Sequence, residues 1–464
     1  MSQTKALILL ANLLPALLAA ALPAGVTAAQ EGADAERPAA PGDRARFEKP
    51  WHIKLPREKL LAAWERLKAL EVPGERVDQR FTVAGPAFYV SPAGDDTAEG
   101  SKERPWRTLA HAAQQLKPNT VVYLRAGTYF GPVEIKTKGS AGEPAALRAL
   151  PGEEVLVTYT EAWVREMRAK LGGGEKADPE HHYPPLISVT GTYVEISGLH
   201  LVGVRDRLPQ NKYSENGISL AGKGGEGCRV LYNEIENTGH CGVKEMGHGG
   251  RSFLVEGNLI RDIGHTFHDH GTYLPADDVI VRKNIFLNAT GWGVHGYSNP
   301  KSLVVTHNVC AGNDNDGIIL AGPDAKVVHN ILYKNQRGGV FFFRGGCRNG
   351  LVANNVFVEP AGAVRYDCCG EKKDYPKRNT MDFNGLAPGT PLEEPMPGGN
   401  THGPHNLTAD PKFLAPELLD FRVAEDSPCL GKGTAEGAKS SGKAEDIGLT
   451  SAGRWASQDV PNRK

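Results

Sequence analysis

Lys244, Tyr273 and His295 can each carry a proton to or from a bound molecule, and the text around them places the three in one register. A glycine opens the run before each: Gly242-Val243-Lys244, Gly271-Thr272-Tyr273 and Gly293-Val294-His295. Strand side chains alternate between faces, so with Val243, Thr272 and Val294 turned inward the next residue of each points out. The same count extends the outward column to Ser219, Lys244, Tyr273, His295, Ile319, Phe341 and Arg365. With neighbouring strands about 4.8 Å apart, Lys244, Tyr273 and His295 form a continuous row of proton-transfer groups. Solvent-facing rows usually mix Thr, Ser, Lys and Glu in no useful order, so this row has the composition of a site.

Further candidates collect at its rim. The segment Gly264-His265-Thr266-Phe267-His268-Asp269-His270-Gly271 sets three histidines and an aspartate directly before Tyr273. The preceding turn adds His240, His248 and Arg251, the strand after His295 adds Tyr297, and Phe343 and Arg344 lie farther along the same face. Such a set suits removal of the weakly acidic proton beside a carboxylate, which requires a cation on the carboxylate, a base for the proton, and an acid for the leaving oxygen or opposite face. Arg251, Arg344 or a bound metal are candidates for the cation, His295 or Lys244 for the base, and Tyr273 for the acid, with His270 beside them. His248, His265, His268 and Tyr297 are expected to touch the substrate. Asp269, flanked by His268 and His270, is the candidate metal ligand, although loop histidines without a strict spacing motif are more often hydrogen-bonded groups. Calcium is the metal considered, with Asp206 or Asp262 as further oxygen donors. One feature strains this register: Glu245 falls on an inward position two residues after Val243, and a one-residue slip would invert the column.

The elements that position these groups are announced by a repeat. Val-x-x-Asn occurs six times between Val230 and Asn355, with Asn233, Asn258, Asn284, Asn308, Asn330 and Asn355 spaced 25, 26, 24, 22 and 25 residues apart. A period in the low twenties, with short β-branched runs bounded by Gly, Asn and Asp, suits one coil of a parallel β-helix. Helical-hairpin arrays need apolar residues at 3.6-residue spacing, which these runs lack. Asparagines at one turn of every coil would stack into a hydrogen-bonded ladder. Two insertions interrupt the coils, at 160–185, with a helix expected from Glu161 to Leu171, and at 204–215. Excursions from a solenoid gather on its binding face, so the second and the histidine loop are expected to wall one groove.

At 464 residues the chain exceeds one ordinary globular core, but a solenoid grows along an axis and escapes that limit. Lys plus Arg number 53 against 54 for Asp plus Glu, so no global field favours nucleic acid. Residues 1–29 read as a signal peptide, with Lys5, an apolar stretch from Ala6 to Leu22 and small residues before Ala29, so a secreted or periplasmic protein is expected. No later segment is apolar enough to span a bilayer. Residues 30–50 read as a disordered linker. Within 51–86, Leu60, Leu61, Trp64, Leu67 and Leu70 mark an amphipathic helix, expected to pack on or near the solenoid's end. The β-helix is expected over 87–435, with a short helix around Trp106 to Leu116 covering its open end, and 436–464 as a tail. Seven scattered cysteines read as buried small hydrophobes rather than a disulfide framework.

Four stretches carry a family resemblance: YVSPAGDD with PWRTLAHAA and VVYLRAGTY, the Val-x-x-Asn coils, YVEISGLHLVG at 193–203, and DPKFLAPELLDFRVAEDSPCLGKG at 410–433. Together they resemble secreted right-handed parallel β-helix proteins of the pectate-lyase-like superfamily over roughly residues 87 to 435. The resemblance implies an all-β, right-handed parallel β-helix with an N-terminal helical cap. It is specific for fold and weak for function, since the superfamily holds lyases, hydrolases, epimerases and members without known activity. Its lyases are similar in using a Lys or Arg base with calcium-assisted or Arg-assisted neutralisation, and its epimerases in pairing His with Tyr. Its polygalacturonases carry Asn-Thr-Asp, Asp-Asp and Gly-His-Gly on successive coils. Here Gly247-His248-Gly249 precedes Asp277-Asp278 and no Asn-Thr-Asp comes before it, so that match is discounted, leaving Asp314 and Asp316 as the best carboxylate pair.

The expectation is a monomeric, carbohydrate-active β-helix acting as a lyase or C5-epimerase on an extended acidic polysaccharide. A glycoside hydrolase needs two or three converging carboxylates, and a non-catalytic glycan-binding or adhesin β-helix needs only the grip. Both stand as alternatives.

Overall fold

The computed structural model describes residues 37–70, 80–170, 183–208, 215–297, 299–367, 375–395, 397–434 and 448. The expected signal peptide, Cys368, Cys369 and nearly all of the expected tail lie outside them. No helix among the described residues is long and apolar enough to cross a membrane.

The short β-branched runs form three parallel sheets of twelve, nine and eleven strands, and each coil from Ile187 to Val364 contributes one strand to each sheet. The result is a parallel β-solenoid of about 10 turns. Register is constant from coil to coil: Val230, Val255, Val281, Val305, Val327 and Val352 stand opposite one another in the twelve-stranded sheet, all turned into the core. In the nine-stranded sheet Val243, Thr272, Val294, Ile318, Val340 and Val364 make the matching interior stack.

The asparagines explain why the register holds. Each turn before an Asn places a residue at positive φ, among them Tyr232, Gly257, Lys283, His307 and His329. This bend turns the Asn side chain into the coil, where it is fully buried. Nδ2 of Asn233, Asn258, Asn284, Asn308, Asn330 and Asn355 each donates to Oδ1 of the next, at 2.9–3.1 Å. The ladder continues through Asn384 to Asn406, which the Val-x-x-Asn text does not mark. A buried amide left without partners costs about 1–3 kcal/mol, so a slipped coil loses an entire rung.

Helix α1 (Arg57–Lys68) does not sit at the end of the solenoid. Its Leu60, Trp64 and Leu67 cover Leu259, Ile285, Val309, Ile331 and Val356 on the outer face of the eleven-stranded sheet. These five outward positions are in register and apolar, and a stripe running along the axis needs a flank cover. The end is closed by helix α2 (Leu109–Gln115), whose Leu109, Ala112 and Ala113 join the main core beside the strand Val133–Ile135. Helix α3 (Glu161–Lys170) lies in the first insertion.

The segment expected to be a disordered linker is held to the body from Arg37 onward. Arg44 pairs with Glu236 and Asp206, Phe47 packs edge-on to His265, and Trp51 Nε1 and His52 Nε2 both lie 2.8 Å from Asp314 Oδ1. Ile53 exchanges two hydrogen bonds with the Asn288 side chain. Composition alone suggested disorder because the partners are carboxylates and amides far away in sequence. Cys228, Cys241, Cys310, Cys347 and Cys429 are buried, as small hydrophobes are.

Candidate active site

The outward column of the nine-stranded sheet has the register that strand alternation predicts. Ser219, Lys244, Tyr273, His295, Ile319, Phe341 and Arg365 are successive partners across adjacent strands. The face they form is the floor of a groove of about 920 Å³, whose walls include His240, Phe267, His268, Trp292, Tyr297, Arg337 and Phe343. Glu245 does point inward, so the column is not inverted; its Oε1 accepts the Gly250 N–H at 2.8 Å, and burial raises its pKa.

One end of the groove is polar. The loop His265–His270 is folded around Asp269, whose Oδ2 accepts from the backbone N–H of His265 and Thr266 at 2.8 and 2.6 Å. Gly264 permits that fold: its φ is +87°, and a Cβ there would lie 2.2 Å from Cβ of Asp269. Oδ1 of Asp269 faces outward from the loop and lies 2.7 Å from His240 Nδ1. On the other side of that ring, Nε2 lies 2.8 Å from Lys244 Nζ. Carboxylate, imidazole and amine thus form one hydrogen-bonded chain ending at the groove floor.

The Lys244–His240 contact has room for a single proton. Two nitrogens 2.8 Å apart must present one donor and one lone pair, so a fully protonated pair would be repelled. Burial opposes a charge on His240, yet the Cys241 sulfur and the Asp269 carboxylate outweigh it and hold the imidazole up at about 10.

The neighbouring rings have the opposite character. His270 and His295 stack 4.1 Å apart and nearly parallel, and Tyr273 stacks 4.9 Å from His295. Burial drives both histidines down, His270 well below its ordinary value and His295 to about 3, so both are neutral. Burial also pushes the Tyr273 hydroxyl up to about 12, and it keeps its proton. The Lys244 ammonium position lies 5.7 Å from the Tyr273 ring centre.

The other end is aromatic. Trp292, Ile319 and Phe341 form a small cluster of their own with Phe343 packed against it. Asp316 beneath them accepts from Trp292 Nε1 at 3.0 Å and from Arg365 Nε and Nη2 at 3.1 and 2.6 Å. The Arg365 guanidinium also lies 3.7 Å over the Phe341 ring. Its charge is therefore spent inside the protein. Arg337 differs: it is exposed, lines the groove, and its guanidinium has Asn315 Oδ1 at 3.3 Å but no carboxylate partner among the described residues.

A family model described as right handed beta helix region matches residues 210–370. Over 189 residues the chain is 28% identical to pectate lyase PEL9 of Emericella nidulans, covering 38% of this chain and 45% of that protein. The chain is in architecture a parallel β-solenoid consistent with a right-handed β-helix. It is also 25% identical over 253 residues to the uncharacterized protein YwoF of Bacillus subtilis, covering 54% of this chain and 47% of the relative. The chain thus spans about half the length of the curated relatives it matches. Among solved structures it is similar to pectate lyase Pel9A, at 13% identity and a TM-score of 0.43, covering 79% of this chain and 96% of that one. An alginate lyase from a Paenibacillus species gives 16% identity and a TM-score of 0.42, covering 64% and 96%.

Of the candidate residues in this β-helix, Lys244, Tyr273, His295, His270, His268 and Tyr297 share the groove. His248 stands at its edge, 6.3 Å ring to ring from Tyr273. Three others are elsewhere. Arg251 bridges Glu226 and Asp277 on the twelve-stranded side and is paired with Glu226 at 2.9 Å, so its turn carries it away from the groove. Arg344 leaves the strand at a φ of +61° and lies 4.5 Å over the Phe343 ring. His265 is turned behind its loop against Phe47. The second insertion does meet the histidine loop at its base, where Arg205 Nη1 donates to Gly264 O at 3.2 Å; residues 209–214 lie outside the described residues.

The donors present do not fit a calcium ion in the groove. Calcium takes six to eight oxygens, whereas both oxygens of Asp269 and both of Asp316 are already hydrogen-bonded within the protein, and Asp367 is the one further carboxylate lining the groove among the described residues. Asp206 and Asp262 face away and are held by Arg44, Asn237, Arg261 and Asn288. His200, Glu234 and Glu236 bring ligand atoms within 4.8 Å of one another, but Arg44, Arg57 and Arg261 pair with these carboxylates.

Proposed function

We propose that the protein is a polysaccharide lyase that cleaves a uronate-containing polymer by β-elimination, with Lys244 as base and Tyr273 as acid. The observation that carries this reading is the Asp269–His240–Lys244 chain, which holds the Lys244 amine at the floor of an open groove beside Tyr273. Lys244 Nζ takes the proton from the carbon beside the sugar's carboxylate. The freed electron pair forms a carbon–carbon double bond as the bond to the next sugar's oxygen breaks, and that oxygen takes the Tyr273 proton. A hydroxyl raised to about 12 is protonated when the leaving oxygen needs it. Arg337 is the groove cation available to the substrate carboxylate. His295 is a poor base, because burial holds it at about 3, and with His270 it serves as a neutral wall against which a sugar ring packs.

Two alternatives fare worse. Hydrolysis needs two converging carboxylates, but Asp314 is bound by Trp51 and His52, Asp316 by Trp292 and Arg365, and Asp269 by its own loop and His240, which leaves Asp367 on the groove without a second carboxylate to act with. A pure binding face has no use for an amine held ready by a buried carboxylate and imidazole. Similarity to pectate lyase PEL9 supports the substrate class, and the leader-like residues 1–29 suit action on an extracellular polymer. The test follows the ultraviolet absorbance of unsaturated ends on a panel of uronate polymers, with calcium and with chelator. A rise that Tyr273→Phe abolishes supports the proposal. Proton exchange at the carbon beside the carboxylate, without chain cleavage, would show an epimerase instead.

A further inference from the structure

The groove has a side chamber that shares Arg337 with the elimination and otherwise lies outside it. A cleft of about 410 Å³ lies between the N-terminal segment and the histidine loop, lined by Phe47, Lys49, His265, Asp314 and Asn315 and sharing Thr266, Phe267 and Arg337 with the main groove. The two spaces therefore adjoin at Phe267, a residue 57% exposed. The outer wall is well fixed. Trp51 and His52 are bonded to Asp314, Ile53 to Asn288, and Phe47 packs on His265 and under the Arg205 guanidinium at 4.3 Å.

We infer that this cleft is a subsite for an acidic branch on the polysaccharide's main chain. The inference rests on the groove's being a polysaccharide site. The main chain follows the column from Lys244 toward Arg365, along the solenoid axis, whereas the cleft leaves that line sideways beneath the N-terminal segment. A substituent fits such a place better than a continuing main chain. The charge balance selects an anion: Lys49 and Arg337 face one carboxylate, Asp314, whose Oδ1 is already taken by Trp51 and His52. A guanidinium and an ammonium around a small chamber suit a carboxylate or a sulfate ester. Phe267 offers the flat apolar face on which a sugar ring stacks.

Binding is measured by calorimetry with the full protein and four probes: a linear uronate oligosaccharide, and the same main chain bearing one neutral, one uronate or one sulfated branch. The expected result is about tenfold tighter binding of an acidic-branched probe than of the neutral-branched one. Lys49→Glu, an exposed position, removes that gain and leaves affinity for the linear probe unchanged, and Phe267→Ala weakens all branched probes. The uronate and sulfated arms show which anion the chamber prefers. Equal affinity for acidic and neutral branches, with the linear probe still bound, overturns the branch subsite alone. So does an equal loss for linear and branched probes in Lys49→Glu, which would make the cleft part of the main-chain path. Failure of the linear probe to bind overturns the groove reading and this inference together.

Discussion

The two ends of the groove use charge in opposite ways. At the aromatic end, Arg365 and Asp316 neutralise each other beside Trp292 and Phe341, so the rings of Trp292, Phe341 and Phe343 dominate a surface that Asp367 borders. At the polar end, Asp269 does not neutralise the cation nearest the groove directly. It acts through His240, and the chain ends at the Lys244 amine on the groove floor. Both ends contain one buried carboxylate and one cation. The imidazole inserted between them at one end separates a group placed for proton transfer from a group that only supports packing.

The sharpest way to break that contrast is Asp269→Asn. Loss of the carboxylate removes the group that orients the His240 ring and one of the two that favour its proton, so the chain no longer holds Lys244 for proton transfer. Turnover should fall by about 10²–10³-fold, with the acid limb of the rate profile moving to higher pH. The matching change at the other end, Asp316→Asn, should leave that limb in place and act mainly through stability. A pH profile of each variant checks the pair.

The neutral histidines make a second prediction, in stability. An unfolded histidine takes up its proton near pH 6.5, whereas His295 in the folded protein does so only near 3, and His270 is shifted the same way. Their contribution is therefore complete above pH 6.5 and is lost as the pH falls toward 3. The slope should be about 1.4 kcal/mol per pH unit for each histidine. Urea unfolding at pH 7 and pH 5 measures it, and His295→Gln should reduce the difference. The smallest effect belongs to the aromatic end. Phe343→Ala should raise KM about five- to tenfold through lost ring contact while leaving kcat nearly unchanged, as initial rates over a range of polymer concentration would show.

How much of this was legible depended on whether the information was periodic. The Asn ladder and the column from Ser219 to Arg365 follow from a count of coils and from strand alternation, and both are found as counted. The relay was not. His240 was visible only as one of several histidines before Tyr273, because its reach to Lys244 depends on how the turn Thr238–Cys241 closes. Arg251 was misplaced for the same reason: a turn can face either of two sheets, and nothing in its spacing says which. Arg337 and Trp292 sit in turns outside the alternating strands and gave no signal, although Arg365 stood in the column without being recognised as part of the site. The N-terminal segment was the least readable, since Arg44, Phe47, Trp51 and His52 are held by Glu236, His265 and Asp314, which come roughly two hundred residues later.

The most direct test of the account is the rate at which Lys244→Ala forms unsaturated ends on a polymer that the wild-type protein cleaves, with and without a small alkylamine in solution. The account predicts a loss of about 10³-fold or more, with part of the rate restored in proportion to added amine. Undiminished turnover in Lys244→Ala would contradict it, because the Asp269–His240 pair would then be delivering its proton balance to a residue that the reaction does not need.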